Sequence, residues 1–120
     1  MEESMLGVVE SKFADLIWEN EPVASRDLVR LAEQALQWKK STTYTVLKKL
    51  CEKGLFQNEN SIVTACVTRN QYYGRQGKQF VKEAFGGSLP MFLTAFATEE
   101  KLSPEEIEAL QKLIAASQEG

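Results

Sequence analysis

The chain has 120 residues, 43% hydrophobic and 26% charged, with a net charge of −3. That size holds one domain, or a small domain with a helical extension, and the composition excludes wholesale disorder. Histidine is absent, which removes Ser-His-Asp triads, Cys-His dyads and every His-containing metal site, so no catalytic residue, metal or cofactor is expected.

The start, Met1-Glu2-Glu3-Ser4, is acidic where a secretory signal would be basic. No apolar run approaches the roughly 20 residues that span a bilayer, so a cytoplasmic protein without membrane insertion is expected. A first helix is predicted over 9–19, with Phe13, Leu16 and Ile17 on one face and Trp18 beside them. Asn20-Glu21-Pro22 stops it, and Val23-Ala24 suits a very short strand. Ser25 reads as the N-cap of a second helix over 26–35 that buries Leu28, Leu31 and Ala32. A polar turn leads to a third helix over 40–53, with Gly54 as its C-cap. Strand-like segments 55–58 and 62–68, joined by Glu59-Asn60-Ser61, read as a β-hairpin. This order of helix, short strand, helix, turn, helix and hairpin is that of a winged helix-turn-helix.

From 71 onward the pattern is helical. The segment 71–85 is broken by Gly86-Gly87 and restarted by Ser88-Leu89-Pro90. A last helix opens on Ser103-Pro104-Glu105-Glu106, which carries a cap, a proline in the first turn and the Glu of a capping box. The fold class is therefore mainly α with a small β-hairpin wing. The expected organisation is a winged-helix DNA-binding domain over 1–70 and a helical dimerisation domain over 71–120.

On a helical wheel, Thr43, Leu47, Leu50 and Cys51 share the inward face of the third helix. Ser41, Thr42, Thr45, Lys49 and Glu52 lie opposite, with Lys48 at the edge. Lysines suit phosphate or guanine, and threonine offers a hydroxyl and a methyl to base edges. Between Trp38 and Lys53 there are five lysines against one acid, a local excess that the negative total hides. Lys39, Lys40, Ser41, Thr42, Tyr44, Thr45, Lys48 and Lys49 are the candidate DNA-binding residues, and the partner is double-stranded DNA. The alternative is a winged-helix protein-interaction module without sequence-specific DNA binding, which the acidic total and the unbasic wing favour. Cys51 and Cys66, without C-x-x-C spacing, read as two reduced and largely buried thiols.

The C-terminal half carries more large apolar residues than three exposed helices can show to water. Phe85, Leu89, Phe92, Leu93, Phe96, Ile107, Leu110, Leu113 and Ile114 are the candidate dimerisation residues. About 50 residues of short helices close a core of their own with difficulty, so a symmetric homodimer is the better account than packing back onto the same chain.

Certain residues carry a family resemblance. Ile17-Trp18 match the end of a first helix, and Trp38, Thr42, Thr45, Leu47, Leu50, Lys53 and Gly54 fit a W-S-x-x-T-x-x-T-x-L-x-x-L-x-x-K-G segment. Phe85-Gly-Gly-Ser-Leu-Pro-Met-Phe-Leu-Thr-Ala-Phe96 and Leu102-Ser-Pro-Glu-Glu-Ile-Glu-Ala-Leu110 extend the match. The chain resembles the penicillinase repressor family, the BlaI/MecI/CopY type of winged-helix transcriptional regulator. The resemblance implies a dimeric repressor on a palindromic operator, controlling β-lactamase or other antibiotic-resistance genes. It also implies, as a partner, a membrane-bound sensor protease that cleaves the dimerisation region, the position falling at Ala95 and Phe96. The departures are Lys39 in place of a capping serine, a wing with Glu59 and no base, Ala95 where the family has asparagine, and the lack of the paired C-x-C motifs of the copper-responsive branch.

Overall fold

The computed structural model describes residues 6–119; the acidic opening at Met1-Glu2-Glu3-Ser4 lies outside the described residues. Helix α1 spans Val8–Asn20, with the Glu10 carboxylate accepting the Gly7 N–H at 3.1 Å. Phe13, Ala14 and Ile17, at helical spacing, bury its inner face. Strand β1 is Val23–Ala24, and α2 spans Ser25–Leu36.

The expected serine cap of α2 is corrected here. Ser25 is the first helical residue, and the N-cap is Ala24, whose side chain cannot accept a hydrogen bond. The sheet decides this. β1 pairs antiparallel with a distant strand, and the Ser25 N–H donates to the Ser61 carbonyl at 2.9 Å, so the helix starts where the pairing ends. Gln37, in the left-handed region at φ 56°, closes α2: its N–H donates to the Glu33 carbonyl, and the Trp38 N–H to that of Ala32.

Helix α3, Lys40–Glu52, ends in a Schellman turn. Gly54 sits at φ 83° and donates to the Cys51 carbonyl, while Leu55 donates to that of Leu50. Strands β2, Phe56–Glu59, and β3, Ile62–Ala65, form the hairpin, and the sheet order is β1-β3-β2, antiparallel throughout. Its turn has two residues rather than three. Asn60 (φ 53°) and Ser61 (φ 65°) are both left-handed, the signature of a type I′ turn. β3 also stops earlier than the expected residue 68. The Val67 carbonyl is taken by the Trp18 indole N–H at 2.9 Å, and Thr68 turns to cap the next helix. Beyond the short β1, the Glu21 carboxylate accepts the Ala65 N–H at 3.0 Å.

Helix α4, Arg69–Phe85, starts two residues before the predicted 71 because Thr68 and Gln71 exchange side-chain-to-backbone bonds in a capping box. α5 spans Leu89–Glu99 with the Ser88 hydroxyl accepting the Met91 N–H, and α6 spans Pro104–Glu119 with Ser103 and Glu106 in reciprocal bonds. No helix among the described residues is long and apolar enough to cross a membrane.

The chain divides into two compact units, one ending at Gly77 and the other beginning at Lys78. The first is the winged helix. Its core joins Phe13, Ile17, Leu28, Leu47, Leu50 and Val63, with Leu55, Phe56 and Tyr72 behind the hairpin. The tryptophans of the sequence signature are structural. Trp38 packs on Phe13 at 5.0 Å between ring centres, and Trp18 reaches Phe56, Tyr72 and Tyr73 at 5.1, 6.1 and 6.1 Å. The first turn of α4 is held to this unit by Tyr72, buried with its hydroxyl accepting the Leu6 N–H, and by Arg69 against Asp15 at 2.9 Å. In the second unit Phe80, Phe85, Phe92 and Phe96 form a chain of edge and tilted ring contacts 5.6–6.3 Å apart. No residue of α5 or α6 is fully buried.

Candidate nucleic-acid interface

The inner face of α3 is fixed by burial of Thr43, Leu47 and Leu50, and the Thr43 hydroxyl and N–H both donate back to the Lys39 carbonyl. This locks the rotation of the helix. Lys39, Lys40, Ser41, Thr42, Tyr44, Thr45, Lys48 and Lys49 are all brought to the exposed surface of the same element, its N-cap included. The N-cap Lys39 makes no side-chain cap bond, so the first N–H groups of α3 face outward with the positive end of the helix dipole. The Thr45 hydroxyl donates to the Ser41 carbonyl at 2.9 Å, which leaves its oxygen lone pairs and its methyl turned outward. Such a surface can neutralise phosphates and accept or exclude base-edge groups.

One lysine is not free. Lys49 Nζ lies 3.3 Å from Glu10 Oε2 of α1, an oxygen shut off from solvent and without a hydrogen-bond partner of its own. The Gly7 N–H holds the Glu10 carboxyl below its usual range, with Lys49 and Lys53 assisting and burial opposing. The two residues are 39 positions apart in the chain, so sequence spacing gives no hint of the pair. Cys51, half-buried beside the inner face, has its thiol pushed up by burial, then by Cys66 and Glu52, whereas Cys66, expected to be buried, is exposed just past the end of β3.

The flank of α3 holds a feature that sequence reasoning missed. A cleft of about 340 Å³ lies between the start of α2 and the hairpin turn, lined by Ser25, Arg26, Tyr44, Asn60, Ser61 and Ile62. The one available signal was Arg26, a cation directly after the predicted cap. The wing turn itself, with Glu59 beside it, presents no base.

In the second unit Leu89, Phe96, Ile107, Leu113 and Ile114 are exposed, while Phe85, Phe92, Leu93 and Leu110 are half-buried. Phe92, Leu93, Phe96, Leu102 and Leu110 line an apolar groove of about 310 Å³ between α5 and α6. Ala95 and Phe96 lie inside α5, where their backbone is helical.

The profile of the family described as "Penicillinase repressor" matches residues 6–116. The chain is similar to the "Methicillin resistance regulatory protein MecI" of Staphylococcus aureus, at 22% identity over 109 residues that cover 88% of this chain and 89% of the relative. It is likewise similar to a "Penicillinase repressor" of Bacillus licheniformis, at 20% identity over 103 residues covering 82% and 80%.

Proposed function

The chain belongs to the penicillinase repressor family of DNA-binding transcriptional repressors, and on that premise we propose that it acts in the cytoplasm as a homodimer on a palindromic operator. The observation that carries this reading is the outer face of α3. Lys40, Lys48, Thr42 and Thr45 stand there on a helix whose rotation is fixed from beneath by Thr43, Leu47 and Leu50. In this reading Thr45 reads base edges, while Lys39, Lys40 and Lys48 hold phosphates. Lys49 contributes less than its position suggests, because its ammonium is shared with Glu10.

The dimer is formed by the second unit. Three helices that expose Leu89, Phe96, Ile107, Leu113 and Ile114 and leave an open apolar groove have no sufficient core of their own. A second copy supplies it, and with it the two-fold axis that places two recognition helices one or two DNA turns apart. By the names of its relatives, the controlled genes are those of β-lactam resistance. Relief by a sensor protease acting at Ala95–Phe96 requires α5 to unwind locally first, since proteases take extended substrates.

The reading of a protein-interaction module rests on the acid beside the wing and the net charge of −3. Two variants separate the readings. Thr45→Ala should narrow the affinity gap between operator and scrambled duplex, and Lys48→Ala should weaken both equally and reduce the log–log salt slope by about 0.9. Equal losses on every duplex from both changes sink the division of roles. Unaltered, salt-independent behaviour of both variants favours the interaction module.

A further inference from the structure

The cleft beside Tyr44 brings together the donor-bearing side chains of Ser25, Arg26 and Tyr44. Ser25 is only 6% exposed and lines the cleft, and no hydrogen bond of its hydroxyl is made among the described residues. A hydroxyl that opens onto a cavity is available to an acceptor bound there. Arg26, exposed at the rim, has no ion pair among the described residues, and the adjacent carboxylate of Asp27 is taken by Arg30 at 2.7 Å. The Tyr44 hydroxyl is equally without a partner among them. The N-cap Ala24 offers α2 no side-chain acceptor, and the Ser25 N–H is taken by the Ser61 carbonyl. The bond from Ser25 to the Ser61 carbonyl fixes the two walls against each other, so the cleft is preformed. A guanidinium-bearing residue and two hydroxyl-bearing residues line one small volume. The matching ligand is a tetrahedral oxyanion.

We propose that this cleft seats a single phosphate of the DNA backbone, gripped by Arg26, Ser25 and Tyr44, and so sets the register of α3 in the major groove. The assignment rests on the operator reading. Tyr44 lies one helical turn from Ser41, Lys40 and Lys48, so a duplex lying on those residues brings its backbone to the cleft. It also gives the wing a role that its lack of a basic residue denies it. The turn contacts DNA through the wall that Asn60 and Ser61 supply.

The test titrates the full chain and its variants into a labelled mixed-sequence duplex and into the DNA upstream of its own gene, at several salt concentrations. Arg26→Gln should bind both about tenfold more weakly, with the log–log salt slope reduced by about 0.9, the loss of one phosphate contact. Arg26→Lys should recover the slope without the full affinity, because an ammonium cannot reproduce the fork. Tyr44→Phe should lose about threefold with the slope unchanged. Unaltered melting temperatures show that the variants fold. Arg26→Gln with the wild-type slope and affinity overturns the cleft and leaves the operator reading standing. Failure of the wild-type chain to bind either duplex overturns both. Inorganic phosphate is the control probe. If it stabilises the wild type but not Arg26→Gln, and DNA binding is unaffected by the substitution, the cleft belongs to a free phosphate and the backbone assignment is wrong.

Discussion

Replacing Glu10 with Gln separates folding from DNA binding at one contact. The amide oxygen can still accept the Gly7 N–H, so the substitution removes the charge opposite Lys49 and little else. The pair is partly in water, with Lys49 59% and Glu10 23% exposed, so its loss should cost about 0.5–1 kcal/mol at neutral pH. For a unit of this size that lowers the melting temperature by about 2–8 °C. The freed ammonium should in turn tighten duplex binding about two- to threefold at low salt and steepen the salt slope by up to about 0.9. The pH dependence has a definite sign. The Glu10 carboxyl is depressed in the folded chain, so its contribution is complete above the ordinary carboxylate value and is lost as pH falls through the folded one. Wild type should therefore lose stability below about pH 4.3 more steeply than Glu10→Gln. Thermal melts across pH, paired with anisotropy titrations, check both halves. A variant of unchanged stability that binds no more tightly would refute the claim that Glu10 competes with DNA for Lys49.

Two further outcomes test other parts of the structure. Ser61→Gly should raise stability by about 1 kcal/mol, read by thermal melting, because a left-handed φ of 65° strains any residue with a Cβ. Phe92→Ala, which removes the ring shared by the Phe80, Phe85 and Phe96 contacts, should shift the chain toward monomer in sedimentation at micromolar concentration. An unchanged dimer would place the interface elsewhere.

Local periodicity carried much of this fold. The four inward positions of α3 repeat at helical spacing, and Thr43, Leu47 and Leu50 are buried as that spacing demands. Capping chemistry at Ser88 and Ser103 is equally local, and both caps form. What escaped depends on partners far along the chain. Ser25 looks like a cap until β1 pairs with β3 and moves the helix start onto it. The T-x-x-Q box at Thr68 was written in the sequence but competed with a strand pattern running through Val67, which the Trp18 indole ends. In the candidate site, the face of α3 was legible, while the Lys49–Glu10 pair and the cleft at Arg26 arise only when α1, α2 and the wing meet α3.

The central claim is best tested by titrating the chain into a labelled duplex of the DNA upstream of its own gene, with a scrambled duplex beside it, and measuring stoichiometry at two salt concentrations. The account predicts selective, salt-sensitive binding by two protomers per duplex, with affinity falling by orders of magnitude as salt rises from low to physiological. Binding by single protomers, or none that distinguishes DNA from buffer even at low salt, would contradict it.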